Sequence, residues 1–363
     1  MFSTKPKRLK DGWSIASPSE ASMDAGDLDD LTAWIRQTYE YQKLHAVLIA
    51  QAGRLVYETY LEGPDESPYQ PSEFRRFDVD TLHDLQSISK SVTALLAGIA
   101  FEGDYETALA TPITALLDDN RYEFDEGAER ITLQHVLTMS AGYEWDAWTY
   151  PWEDPRNSNR QIYMATDPIA ALVKMPLEFE PGSHWEYNNG LTELLAAILE
   201  RRTGQRIDAY AREVLFDPLG INRFEWWGQE NWQPAGWPSA AGGLRLRARD
   251  LARIGWLVQN GGAWQGQQIV PVDWIRRCTE SHMSEAWEGP RGNYGYGYQW
   301  WIGHSNSIPR YNIVAGFGNG GQQLLLVPER QLVVVVFAGN YGRYNHALFN
   351  WVLDRVVFAH RPN

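Results

Sequence analysis

The chain reads as an α+β protein: an antiparallel sheet built from its two ends, flanked by helices, with a mostly helical lobe inserted between them. Three observations carry this. A β-hairpin pattern lies near the N-terminus, three strand-like runs follow one another near the C-terminus, and the stretch between is dominated by helical periodicity. Strands distant in sequence most simply share one sheet, so a discontinuous sheet domain is expected over 1–86 and 240–363. The helical lobe would then occupy 87–239.

The elements follow in order. Residues 28–44 have the spacing of an amphipathic helix. The apolar runs 45–50 and 55–60 flank Gln51-Ala52-Gly53-Arg54, which reads as a hairpin turn. A polar loop with prolines is expected over 63–84, and the apolar run 92–100 then reads as a buried helix. Residues 131–138 read as a helix with Thr132 as N-cap and Gly142 beyond its end. An aromatic loop is expected over 143–159. Helices fit 191–202, stopped by Gly204, 207–215, stopped by Asp217-Pro218-Leu219-Gly220, and 248–259, stopped by Gly261-Gly262. Strands are expected at 313–317, 322–327 and 331–337, with Pro328-Glu329-Arg330 as a turn, and a closing helix at 344–358. No internal repeat is seen.

Composition narrows the function classes. Of 363 residues, 44% are hydrophobic and 21% charged, enough for a sizeable core in an ordinary globular enzyme. The net charge of -14 argues against nucleic acid and anionic membrane surfaces as partners. Cys278 is the one cysteine, so neither an intrachain disulfide nor a cysteine-based zinc site can form, and its helical context suggests a structural thiol. No apolar run reaches the ~18–20 residues that span a bilayer, and no leader-like apolar segment opens the chain. A cytoplasmic location is the expectation. The 17 tryptophans are the outlier; Trp145, Trp148 and Trp152, or Trp300 and Trp301, lie in loop-like stretches and are candidate pocket walls.

The chemistry begins at Ser87-Ile88-Ser89-Lys90, on the first turn of the 92–100 helix. Positions i and i+3 share a helix face, so hydroxyl and amine can meet. An amine discharged by desolvation can take the serine proton. Such a pair is weak evidence alone, because a chain of this length holds about one by chance. Tyr187-Asn188-Asn189 follows, entering another helix. A phenol there can relay protons between serine, lysine and leaving group, and Asn189 can hold the lysine or a substrate amide. Third is Gly316-Phe317-Gly318-Asn319-Gly320-Gly321-Gln322, a glycine turn between strands whose bare edge can offer N–H groups. With the N–H of Ser87, one of these would form an oxyanion hole.

These three motifs in this order resemble the serine β-lactamase and penicillin-recognising superfamily. The closer likeness is to its class C-like branch, which also holds esterases, D-amino-acid peptidases and 6-aminohexanoate-dimer hydrolases. Residues 133–142, 241–252 and 295–301 support it, and the likeness runs from about Ser14 to the C-terminus. The resemblance implies a β-lactamase-like fold and a cofactor-free, metal-free acyl-enzyme mechanism on a small ester or amide. It makes Ser87 the nucleophile, Lys90 its lysine, Tyr187 the acid/base and Asn189 a substrate contact. Gly316-Phe317-Gly318 takes the place of the superfamily's Lys/His-Thr/Ser-Gly triplet, giving Asn319 the second oxyanion N–H. A register shifted to Asn319-Gly320-Gly321 would give it to Gln322. In both registers the leading cation is missing, which argues against strong penicillin hydrolysis and for a neutral or cationic acyl substrate. The loop after Met139 looks most like the aminohexanoate-dimer hydrolases and is expected to put Tyr150 or Trp148 on the substrate. The rivals are a β-lactamase or D-Ala-D-Ala carboxypeptidase, and a sensor without turnover. His135 is expected to pack in a core; His83 and His184 lack metal-type spacing; no G-x-S-x-G supports a Ser-His-Asp triad. Oligomeric state is left open.

Overall fold

The computed structural model describes residues 3–40, 43–68, 70–117, 121–289, 292–304 and 311–342. Its main sheet has nine strands among these residues: β1 (Ser14–Ile15), β2 (Leu44–Gln51), β3 (Arg54–Tyr60), β4 (Met283–Gly289), β5 (Gly292–Tyr296), β6 (Trp301–His304), β7 (Asn312–Gly318), β8 (Gln322–Val327) and β9 (Leu332–Ala338). Their order is β1-β3-β2-β9-β8-β7-β6-β5-β4, antiparallel except for the short β1–β3 pair. The two ends of the chain meet at β2 and β9, where Leu48 faces Val335 and Ile49 faces Val334. β2 and β9 are apolar on both sides because both sheet faces are covered. Ala52 and Gly53 both have positive φ, the primed turn that suits a two-residue hairpin between β2 and β3.

One face carries Val47, Ile49, Leu325, Val334 and Val336 and packs against Leu28, Leu31 and Ile35 of α1 (Ala25–Thr38). The other face carries Leu48, Leu324, Leu326, Val333 and Val335. It meets α2 (Ile88–Ala100) and α4 (Ala248–Gln259) and is continuous with the helical part of the core. Gly255 lets α4 approach closely: a Cβ there would lie 2.7 Å from Val333 Cγ1 and 2.8 Å from Leu324 Cδ1. Arg249 of α4 binds buried Glu58 of β3 through Nε (2.7 Å) and Nη2 (2.5 Å), and Asp11 through Nη1 (2.7 Å). α2 packs across α3 (Asn189–Thr203), and Trp274 of α5 (Val272–Thr279) donates its indole N–H to the Ala94 carbonyl at 2.8 Å.

Several expectations need correction. The first helix spans 25–38 rather than 28–44, because Leu44 already joins the sheet. The 63–84 segment is not one loop: Glu62–Asp65 pairs with Glu73–Arg76, and His83–Asp84 pairs with Leu244–Leu246. The 207–215 helix closes as a wider turn over Arg212–Phe216. Strands β4, β5 and β6 were not anticipated, since Gly, Tyr and Trp made that region look like loop. Trp300 is fully buried in the core and is no pocket wall. The closing helix at 344–358 lies outside the described residues. Among the described residues no helix is long and apolar enough to cross a membrane.

Candidate active site

Ser87 stands at the start of α2, where three short strands meet. His83 and Asp84 pair with Leu246 and Arg245, and the Leu85 N–H donates to the Leu244 carbonyl at 2.9 Å. Arg245 Nε lies 2.6 Å from Asp84, whose carboxylate also accepts from Ser67 Oγ at 2.5 Å. The segment before the helix is thereby pinned. Gln86 then takes a left-handed φ of 50° to turn the chain into α2. The Ser89 hydroxyl donates to the Gln86 carbonyl (2.7 Å) and accepts from the Leu244 N–H (3.2 Å), locking the turn from inside.

Lys90 lies directly beneath. Its Nζ is 3.0 Å from Ser87 Oγ and 2.7 Å from the Ala241 carbonyl. Lys90 is only 1% exposed, and burial pulls its pKa down to about 7, opposed by the charge of Glu193. A neutral amine at this distance accepts the hydroxyl proton, and an ammonium returns it. Near neutral pH both forms are populated.

Tyr187 comes from the segment that enters α3. The Glu186 N–H donates to the Met139 carbonyl (3.0 Å) and the Gly182 N–H to the Ser140 carbonyl (2.7 Å), strapping this segment to the stretch that follows the 133–137 helix. Lys90 Nζ lies 5.0 Å from the centre of the Tyr187 ring, which stacks on Trp301 at 5.7 Å. Asn188 caps α3, accepting from the Leu191 N–H at 3.2 Å. Buried Gln299 ties the elements together: its carbonyl accepts from Ser91 Oγ of α2, its Oε1 from Thr192 Oγ1 of α3, each at 2.7 Å.

The third motif closes the site. β7 runs to Gly318, and Gly320 and Gly321 turn the chain with φ of 93° and 89°. A Cβ on Gly318 would lie 2.3 Å from the Leu85 carbonyl oxygen, so only glycine lets the strand end reach the approach to Ser87. Gly316 faces the same helix: its Cβ would be 3.3 Å from Ile88 Cγ2 and 3.5 Å from Ser91 Oγ. The Asn319 carbonyl accepts from Gln322 Nε2 (3.1 Å) and its Oδ1 from the Gly342 N–H (3.0 Å). The N–H groups of Ser87 and Asn319 meet no acceptor among the described residues.

Around these groups lies a cleft of about 1230 Å³. Trp148, Trp185, Trp287, Trp301 and Phe317 form its aromatic walls with Tyr187, and Trp152 and Tyr163 add a second patch. No Asp, Glu, Lys, Arg or His lines it among the described residues. Four buried polar atoms on its lining residues have no hydrogen-bond partner among the described residues: Gln86 Nε2, Trp185 Nε1, Asn189 Oδ1 and Gln323 Oε1.

The sequence-selected residues fare unequally. Ser87, Lys90, Tyr187, Asn189, Phe317, Gly318, Asn319 and Trp148 gather at the cleft. Asn189 does not hold the lysine; its Nδ2 donates to Asn159 Oδ1 at 2.9 Å. Tyr150 is not on the cleft wall. Its ring lies under the Arg156 guanidinium at 4.1 Å, and its carbonyl accepts from Asn157, which turns the loop that way. Gly316 packs on α2 and does not line the cleft. Trp145 is buried at 6% exposure. Sequence reasoning missed Glu193, Ala241, Trp185 and Trp287. For Glu193 there was a signal: a carboxylate set among Leu191, Leu194 and Leu195 on an apolar helix.

Known proteins identify the fold and the family. The family described as Beta-lactamase matches residues 34–354. The chain is similar to the esterase EstB of Burkholderia gladioli, 28% identical over 216 residues, which are 56% of this chain and about half (53%) of that esterase. It is similar to the 6-aminohexanoate-dimer hydrolase of Paenarthrobacter ureafaciens, 26% identical over 335 residues, 88% of this chain and 79% of the relative. Among solved structures, a putative 6-aminohexanoate-dimer hydrolase from Bacillus anthracis superposes with a TM-score of 0.73 at 20% identity, covering 98% of this chain and 89% of that one. The β-lactamase-like fold expected from the motifs is therefore the fold of this chain.

Proposed function

Since the chain belongs to the Beta-lactamase family, we propose that it is a serine hydrolase forming an acyl-enzyme on Ser87, with an uncharged ester as its preferred substrate. The observation that carries this is the Lys90–Ser87 contact: an amine 3.0 Å from the hydroxyl, with burial holding its pKa at about 7. Ser87 Oγ attacks the carbonyl carbon as its proton passes to the Lys90–Tyr187 pair. The oxyanion forms between the N–H groups of Ser87 and Asn319, each donor being worth ~3–4 kcal/mol. Asn319 is favoured over Gln322 as the second donor, because Gln322 pairs with Gly318 in the sheet ladder. The tetrahedral intermediate collapses as the leaving oxygen or nitrogen takes a proton from Tyr187. Water, deprotonated by the same pair, then releases the acyl group and restores Ser87.

The cleft supports the choice of substrate. A carboxylate or ammonium entering it would lose hydration with no described counter-ion on its walls. Gly316 stands where the superfamily's cation would receive a β-lactam or peptide carboxylate. A linear amino-acid dimer carries charge at both ends, so an ester fits better than that amide. The aromatic walls suit an apolar or aryl group.

The test compares wild type and Ser87→Ala on a p-nitrophenyl ester and a chromogenic cephalosporin. Expected is ester turnover that falls at least about 10⁴-fold in a folded Ser87→Ala variant, with little cephalosporin cleavage in either. Unchanged ester turnover in that variant refutes the mechanism. Rapid Ser87-dependent cephalosporin cleavage refutes the substrate choice.

A further inference from the structure

Beneath the Ser87–Lys90 pair lies a carboxylate that the mechanism above does not use. Glu193 sits on the second turn of α3 at 3% exposure. Its Oε1 accepts from Ser239 Oγ (2.6 Å) and the Ala241 N–H (3.1 Å), and its Oε2 from the Ala240 N–H (2.9 Å). All three partners are donors, which suits an ionised carboxylate. Burial pushes its pKa up to about 7 against those donors and against Lys90. The turn it grips ends in the Ala241 carbonyl that accepts from Lys90 Nζ at 2.7 Å. A chain of contacts therefore runs from Glu193 through the 239–241 turn to the lysine.

Building on the serine-hydrolase reading, we propose that Glu193 is a positioning residue: its carboxylate fixes the Ala241 carbonyl that aims Lys90 at Ser87, and its charge sets the proton affinity of the Lys90–Tyr187 pair. Without this anchor the carbonyl of a glycine-flanked turn, Ala241-Gly242-Gly243, is free to rotate away. The charge acts on Lys90, since a nearby negative charge makes deprotonation of its ammonium harder. The surroundings leave few rivals for this role. Tyr187 and Glu193 are the titratable groups that face Lys90 from α3 and its entry. The 239–243 turn and the end of β7 bring only Ser, Ala, Gly and Phe. α5 meets α2 further along, through Trp274 at Ala94 and Gly98.

The test is the pH profile of kcat and kcat/KM on a p-nitrophenyl ester for wild type, Glu193→Gln and Ser239→Ala. Folding is checked by circular dichroism, and Ser87→Ala controls for serine chemistry. Glu193→Gln removes the charge and turns one acceptor into a donor aimed at an N–H. Expected is a fall in kcat of about 10- to 100-fold with KM little changed, and an acid limb moved to lower pH by about one unit or more. Ser239→Ala keeps the charge and removes one anchor; expected is a fall of about fivefold with the limb in place. A folded Glu193→Gln with wild-type kcat overturns the proposal. So does a loss of kcat with an unmoved acid limb, which would mark a merely structural residue. If Glu193→Gln fails to fold, Ser239→Ala decides: reduced kcat at constant KM supports the proposal, and wild-type kcat overturns it. Activity that survives in Ser87→Ala would instead overturn the serine reading beneath it.

Discussion

Replacing Lys90 by Met is expected to abolish turnover and yet stabilise the fold, with a gain that disappears as pH rises. Lys90 is 1% exposed, and its Nζ has one hydroxyl and one carbonyl as hydrogen-bond partners. That is poor replacement for the hydration of an ammonium, so burial lowers the pKa from 10.5 to about 7, with Glu193 opposing. The unfolded chain keeps the proton up to about pH 10.5, the folded one only to about 7. Between those values folding expels a proton, and stability rises with pH. Below pH 7 the burden is complete. At about 1.36 kcal/mol per pH unit, the drop from 10.5 to about 7 amounts to about 5 kcal/mol at most. Met fills a similar volume without the charge. It strands the Ala241 carbonyl, which costs about 1–3 kcal/mol. The net gain at pH 6.5 is therefore on the order of 2 kcal/mol, and it should close by about 1.4 kcal/mol per pH unit above pH 7. Urea unfolding midpoints of both proteins, taken at steps from pH 6.5 to 10, measure this. A stability difference that stays flat over that range would refute the claim that burial discharges Lys90, and with it the basis for a proton acceptor near neutral pH.

Three further predictions follow from other parts of the molecule. Gly316→Lys puts a cation at the head of the third motif; its Cβ would lie 3.3 Å from Ile88 Cγ2 and 3.5 Å from Ser91 Oγ, so Ile88 must shift by a few tenths of an ångström for the side chain to extend toward the cleft. With the variant shown to be folded, kcat/KM on a chromogenic cephalosporin is expected to rise by about tenfold or more, and no rise would argue against this register of the third motif. Trp301→Ala removes the ring stacked on Tyr187; KM for an aryl ester should rise by about fivefold or more, read from initial rates. Arg249→Ala leaves the buried Glu58 carboxylate without its cation; stability should fall by about 3–5 kcal/mol, seen in the urea midpoint, with the specific activity of the folded fraction unchanged.

Much of the candidate site was legible because it is local. Ser87 and Lys90 share a helix face by spacing alone, and the Val and Leu run behind them marks that helix as buried. Tyr187 and Asn189 stand at the entry to a helix whose cap, Asn188, is itself a sequence signal. The two ends of the main sheet were legible as well, since strands β2, β8 and β9 are buried on both faces and must be nearly continuous runs of Val, Leu and Ile. Strands β4 to β6 were not, because their Gly, Tyr and Trp residues carry no alternating pattern and pair through ring contacts such as Trp287–Tyr294 at 5.2 Å.

What the sequence determined by itself is therefore the candidate set: a serine with an amine one helical turn away, a tyrosine at the entry to another helix, and glycines where a strand must come close. Tertiary structure decided how those groups are tuned and what they meet. The Glu193–Ala241–Lys90 chain joins residues far apart in sequence, so no local pattern contains it. The lysine's lowered pKa comes from how completely it is enclosed, a property of packing. Trp148 faces the cleft while Tyr150 turns to Arg156 because Asp146 accepts the N–H groups of Trp148 and Thr149, and Asn157 holds the Tyr150 carbonyl. The direction of a loop is set by the partners its backbone finds, and those partners are assembled only when the chain has folded.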